Sequence, residues 1–216
     1  MKKTITLTLG AVALAAHLGA GAAEPIKVGL MLPSTGTFAA LGDMITKGFK
    51  LAIDEQGGKL AGREVQYYTV DDESDPSKAT DNVNKLIKRD NVDVLIGTVH
   101  SGVAVGMARA AKESGTLLII PNAGADAITG PLCAKNIFRS SFSNWQPGYA
   151  TGVVAAKKGY KTAMTIPWNY GAGADTVKGF REAFEKGGGK VTKDLNLPFP
   201  NVEFQALLTQ IASEKP

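Results

Sequence analysis

The stretch "GTVHSGVA", residues 97–104, puts a histidine, a serine and a glycine where an apolar run meets a helix-like segment. The run before it, "VDVLIGTV", is hydrophobic enough for a buried strand, and "AVGMARAAKES" after it reads as a helix. A strand that ends in small polar residues at a helix N-terminus leaves several backbone N–H groups without intrahelical partners. Together with the helix dipole, those groups attract an anion. Ser101 adds a hydroxyl, Gly102 allows close approach, and His100 adds a ring that donates a hydrogen bond or, when protonated, carries charge. Plainer readings stand beside these: Ser101 as a helix cap worth about 1 kcal/mol, and His100 as a solvent-facing loop residue. The adjacent pair also raises nucleophilic catalysis. Neighbours at a strand–helix turn rarely face one another, however, and no third orienting group is evident. Gly171 and Gly173 give a G-x-G without the Lys-Ser/Thr partner of a phosphate loop.

Composition narrows the classes further. The chain has 216 residues and a formal net charge of +4, with one cysteine and two histidines. Met1-Lys2-Lys3, the apolar run from Ile5 to Leu18 and the small residues of "AGAA" have the form of a secretory signal peptide over 1–23, cleaved near Ala23. The expected location is therefore the periplasm. Lys2 and Lys3 belong to that leader, so the exported part is closer to neutral and lacks the charge for nucleic-acid binding. His17 leaves with it, and His100 alone does not make a His-rich metal site, so neither metal nor cofactor is expected. Cys133 has no partner for an intrachain disulfide, and stability must come from a core.

The elements that must position these residues alternate regularly. "IKVGLMLP", "REVQYYTVDD", "VDVLIGTV" and "TLLIIPN" read as strands, separated by helical patterns in "ALGDMITKGFKLAIDEQ", "PSKATDNVNKLIKRD" and "SGVAVGMARAAKES". "NAGADAITGPLCAKN" reads as a loop, "IFRSSFSN" as a short strand and "WQPGYATGVVAAKKG" as a helix. The alternation then restarts with "YKTAMTIP", a helix over about 172–186, "KVTKDLNLP" and "VEFQALLTQIASEKP". Apolar strands alternating with amphipathic helices predict an α/β fold with parallel sheets covered on both faces. Two strands make a poor sheet, so the last part is expected to be a piece of a larger second lobe.

In order along the chain, "IKVGLMLPSTGTFAALGDMITKGFKLAIDEQGG", "VDDESDPSKA", "VDVLIGTVHSGVA", "LIIPNAGA", "FRSSFSNWQPG" and "YGAGADTVKGFREAF" resemble one family. It is that of the exported solute-binding proteins of the branched-chain amino acid type, the type I periplasmic binding proteins that feed ABC importers. The resemblance implies two α/β lobes with ligand in the cleft between them and a length well beyond this chain. It sets 1–23 as signal, 24–143 as first lobe, 144–158 as a crossing or hinge helix and 159–216 as a partial second lobe.

The resemblance also assigns roles. The serine at Ser101, with Gly102 and neighbouring amides, holds the ligand carboxylate. The loop of Asn122, Ala123 and Gly124 meets an amino acid's ammonium group, and Tyr170 closes over the ligand. This chain departs from the pattern in having Gly124 where such binders often carry threonine and Leu41 where they often put an aromatic residue. Ser74 and His100 stand where some carry a cysteine pair, which leaves His100 free at the cleft edge. Trp168 reads as core and Trp145 as packing near the hinge.

The implied function is non-catalytic: a monomer that delivers a small carboxylate ligand to the membrane permease of an ABC importer. A branched-chain or other apolar amino acid is the first expectation, and a benzoate-like or short aliphatic acid the alternative. A sensory ligand-binding domain and a secreted Ser/His hydrolase are the readings of other classes.

Overall fold

The computed structural model describes residues 23–200 and 203–214; the leader read over 1–23, save its last residue, lies outside them. Strands β1 (Ile26–Leu32), β2 (Lys59–Leu60), β3 (Arg63–Asp71), β4 (Val94–Ile96), β5 (Leu117–Ile120) and β6 (Ile137–Arg139) form one sheet in the order β2-β3-β1-β4-β5-β6. All neighbours are parallel except β2, which pairs antiparallel with β3. The central strands β1, β4 and β5 have apolar runs because both faces are covered. Met31, Leu95, Leu118 and Ile120 are packed under α2 (Ala79–Asn84) and α3 (Ser101–Ser114), and Val28, Leu30, Val94 and Ile96 pack with Phe49 of α1 (Ala39–Asp54).

The order reverses between β1 and β4. The chain leaves β1 toward β3 on one side, whereas it leaves β4 toward β5 on the other. A gap opens at the carboxyl ends of β1 and β4, the place where open α/β sheets take their ligands. It contains the loops 33–38 and 97–100.

Several local differences from the sequence reading have physical causes. The strand read as "REVQYYTVDD" is the second arm of a hairpin. Ala61 and Gly62 both have positive φ, 50° and 78°, as a tight primed turn requires, and pair β2 with β3. The helix opened by Pro76 is broken into a 3-10 turn (Pro76–Lys78), α2 and a π turn (Lys85–Arg89). Asp75 caps its start by accepting the Ser77 N–H at 2.8 Å. β4 ends at Ile96 rather than running on to Val99. At Gly97 the backbone passes so close to the Met31 carbonyl that a Cβ would overlap it. A short helix, α4 (Asp126–Thr129), lies inside the segment read as loop.

Beyond β6, α5 (Trp145–Lys157) lies along α6 (Gly171–Lys186), and β7 (Thr162–Thr165) pairs in parallel with β8 (Lys190–Asp194); α7 (Gln205–Glu214) follows. Gly148 and Gly152 of α5 bring that helix against the carbonyls of Thr176 and Phe180, and Gly179 of α6 faces the carbonyl of Trp145. A Cβ at any of the three would overlap backbone, so the two helices pack at glycine distance. The helix expected to cross between lobes is thereby fastened to α6. No helix among the described residues is long and apolar enough to cross a membrane.

One substitution should have opposite signs at two helical glycines. Gly179→Ala drives a methyl into the Trp145 carbonyl and should destabilise by about 1–3 kcal/mol. Gly48→Ala, in α1 with nothing within 4 Å of its Cβ, should stabilise by about 0.5–1 kcal/mol. Urea midpoints of the two variants measure this. Equal shifts would mean that α5 and α6 are not held at that distance.

Candidate ligand-binding cleft

The carboxyl end of β4 delivers His100 to the N-terminus of α3, where it is the N-cap. Its backbone is extended (φ −73°, ψ 123°), and its Nδ1 accepts the Gly102 N–H at 3.0 Å. Ser101 is therefore the first helical residue and not the cap. His100 is only 2% exposed and Ser101 3%, which overturns the reading of His100 as a solvent-facing loop residue. With Nδ1 accepting, the ring's proton sits on Nε2. Burial lowers the pKa of His100, while the Asp75 charge opposes the shift, so the ring is neutral near pH 7.

Around this imidazole stand three aromatic rings. Tyr170, the N-cap of α6, lies 4.9 Å from it between centroids, Phe199 5.1 Å and Phe38 6.1 Å. Phe199 in turn meets Tyr170 at 5.0 Å, Phe38 at 5.7 Å and the edge of Trp168 at 5.4 Å. Trp168, expected in the core, is half-buried with its edge on this cluster. Trp145 stacks on Tyr149 at 4.4 Å and donates from Nε1 to Glu182 at 3.0 Å. Burial raises the pKa of Tyr170, so its phenol keeps its proton.

Phe38 is held by the loops after β1 and β3. Its N–H donates to Ser74 Oγ at 3.1 Å, and the Ser74 N–H donates to Asp72 Oδ1 at 2.8 Å. The Thr98 hydroxyl bonds the other oxygen of that buried carboxyl. Asp71 ties down the turn: Ser34 N–H donates to it at 2.9 Å and the Thr35 hydroxyl at 2.6 Å. Burial by itself would push Asp71 up, but the bonds from Thr35, Glu73 and Ser34 hold it well below the usual carboxylate range. Gly36 turns at φ 77°, and a Cβ there would overlap the Glu73 carbonyl. The aromatic side chain that α1 brings to the rings is thus Phe38. Leu41 lies in the first turn of α1 and is 38% exposed.

The third wall follows β5. Ala123 is buried, its N–H donating to the Thr98 carbonyl at 2.9 Å, and Asn122 is half-buried beside it. The Gly124 carbonyl accepts the Asn144 N–H at 2.8 Å, and a Cβ on Gly124 would overlap Asn144 Oδ1. Asn144 Nδ2 donates to Ser101 Oγ at 3.1 Å and to Asp175 Oδ2 at 3.5 Å. Asp175 Oδ2 also accepts the Asp126 N–H at 3.0 Å, and Asp126 Oδ1 accepts the Trp145 N–H at 3.3 Å. Gly171 begins α6 so near Ser101 that a Cβ on it would sit 4.0 Å from Ser101 Cβ. Two helix N-termini, those of α3 and α6, therefore converge on Ser101.

His100, Ser101, Gly102 and Tyr170 are brought together, with Ala123 and Gly124 behind them through Thr98 and Asn144. Phe38, Asn144, Asp175 and Phe199 were not singled out from the sequence. Asn144 lies inside the motif "FRSSFSNWQPG", where nothing local distinguishes it from a loop asparagine, and nothing local marks a Phe between two prolines as a cleft residue. The assembled groups offer donors and dipole ends to an anion and ring faces to an apolar body, with no full positive charge among them. Among the described residues no group of three or more His, Cys, Asp or Glu is placed to hold a metal ion.

The Periplasmic binding protein family matches residues 25–216. A Leu/Ile/Val-binding protein of Rhizobium johnstonii, BraC3, is 31% identical over 99% of this chain and 58% of its own length. Among solved structures, an ABC-transporter solute-binding protein of R. palustris in complex with benzoate is 53% identical. It has a TM-score of 0.86 and covers 89% of this chain and 53% of the other. A solute-binding protein of Rhodopseudomonas palustris BisB5 in complex with 3,4-dihydroxybenzoic acid is 31% identical with a TM-score of 0.82, covering 89% and 52%. The chain thus spans little more than half the length of the proteins it matches.

The neutral, buried His100 has a thermodynamic consequence. Its folded pKa is lowered, so as pH falls below about 6.5 the unfolded chain takes up a proton that the folded chain refuses. Stability is full above that pH and declines below it, through the window down to the folded pKa. The melting temperature should fall as pH drops from about 6.5, and less steeply in His100→Gln. An identical slope in both proteins would show that His100 does not carry this dependence.

Proposed function

Because the chain belongs to the periplasmic binding protein family, we propose that it is an extracytoplasmic solute receptor for a benzoate-like aromatic carboxylate, which it delivers to an ABC importer. The observation that carries this reading is the ring cluster of Phe38, His100, Tyr170 and Phe199 beside the converging helix N-termini at Ser101. A ligand's carboxylate takes the donors of Ser101 and the helix ends, with the Nε2–H of neutral His100 beside them. Its ring takes the aromatic faces, where such pairs contribute about 0.5–1.5 kcal/mol beyond their burial.

The amino acid expectation is less well served. Gly124 has no hydroxyl, and the two nearby carboxylates, Asp126 and Asp175, already accept backbone N–H groups. The similar R. palustris protein in complex with benzoate supports the aromatic choice. Tyr170 and Phe199 come from the part of the chain after α5, and His100 and Ser101 from the start of α3 after β4. A ligand touching both favours their approach, since it contacts both only in the closed arrangement. That closed form is what a membrane permease would recognise. No chemistry is assigned to Ser101 and His100: Nδ1 of His100 is committed to the Gly102 N–H, and Ser101 receives its bond from Asn144.

A thermal-shift panel on the full product of the gene tests this, with benzoate, 4-hydroxybenzoate, leucine, isoleucine and valine. The benzoates should stabilise by about 2.7 kcal/mol at 100 times the dissociation constant, and Tyr170→Ala should weaken benzoate roughly tenfold. Stabilisation by the aliphatic amino acids alone would overturn the aromatic reading and restore the branched-chain one.

A further inference from the structure

We propose that Asn144 is a positioning residue that makes Ser101 a hydrogen-bond donor toward the ligand, and that Asp175 in turn orients Asn144. The inference rests on the reading of Ser101 as a carboxylate-binding residue. A carboxylate oxygen accepts and does not donate, so the edge of the Asn144 amide that faces Asp175 Oδ2 at 3.5 Å is its NH2. The same NH2 donates to Ser101 Oγ at 3.1 Å. A serine hydroxyl has a single proton. With its oxygen already receiving an N–H, that proton is left for an acceptor, and among the described residues none takes it, although Ser101 is buried. A buried donor without an acceptor is costly, and an incoming carboxylate oxygen removes that cost.

Gly124 belongs to the same device. A Cβ at this position would overlap Asn144 Oδ1, so a larger residue here and the present placement of Asn144 exclude each other. The Gly124 carbonyl holds the Asn144 backbone N–H at 2.8 Å, and the Thr176 hydroxyl, whose one proton goes to the Ala172 carbonyl at 2.8 Å, lies 3.2 Å from the Asn144 carbonyl. Asp175 and Thr176 stand on α6 whereas Ser101 stands on α3, which ties the polarity of the Ser101 hydroxyl to the approach of these helices.

The test measures a ratio of affinities in the full gene product: benzoate against benzamide, or leucine against leucinamide if leucine is the carboxylate that the wild type prefers. In Asn144→Asp the new carboxylate accepts the Ser101 proton, so the serine presents a lone pair to the ligand. The carboxylate-to-amide ratio should fall at least tenfold, and Gly124→Thr, which displaces the Asn144 amide, should move it in the same sense. Melting temperatures without ligand identify a variant that fails to fold, in which case the other carries the test. Equal losses for acid and amide in the folded variants would overturn the proposal and leave Asn144 a packing residue. A wild type that binds neither pair would overturn the reading of Ser101 itself, and the inference with it.

Discussion

Strands β1 and β4 lie side by side while the chain leaves them in opposite directions, and the cleft is a consequence of that divergence. Helices that crossed on the same side would cover the strand ends. Here the loops after β1 and β4 are left facing each other across a gap, with α1 starting from one and α3 from the other. The rest of the structure serves to stabilise this gap. Asp71 and Asp72 bind the loops after β1 and β4 to the end of β3, and the glycines of α5 and α6 bring the N-terminus of α6 against Ser101.

Electrostatically, the site as proposed would attract an anion with partial charges rather than full ones. Two helix N-termini and neutral donors favour a carboxylate, whereas an arginine fork would hold it by charge-assisted bonds and release it slowly. The histidine at its centre follows the same logic. Used as an N-cap through Nδ1 and buried among rings, it offers a neutral donor at Nε2 and an aromatic face, and its burial works against a proton that would turn it into a cation.

Glycine has a double use in this chain. At Gly36 it supplies a backbone angle that other residues adopt only with strain. At Gly148, Gly152 and Gly179 it supplies absence of bulk, so that two helices approach until backbone meets backbone. Gly124 is of the second kind, and the space it leaves is taken by the Asn144 amide. What reads in the sequence as a missing hydroxyl is in three dimensions a place made for a different polar group.

The residues themselves determined most of the secondary structure, because apolar period and end signals are local. α3 spans Ser101–Ser114 as its pattern predicts, and α6 begins one residue before the expected start. The convergence of His100, Ser101 and Gly102 on a helix start was also legible, since adjacency in sequence guarantees adjacency in space. Tyr170 was placed only by the resemblance. Tertiary structure decided the rest. Phe38, Asn144, Asp175 and Phe199 are separated from Ser101 by between 43 and 98 positions, and no spacing rule relates them. Sequence determined which groups exist and how each helix and strand begins and ends. Strand order and glycine-close helix packing decided which of those groups meet, because contact between distant residues depends on how whole elements fit together and not on any local pattern.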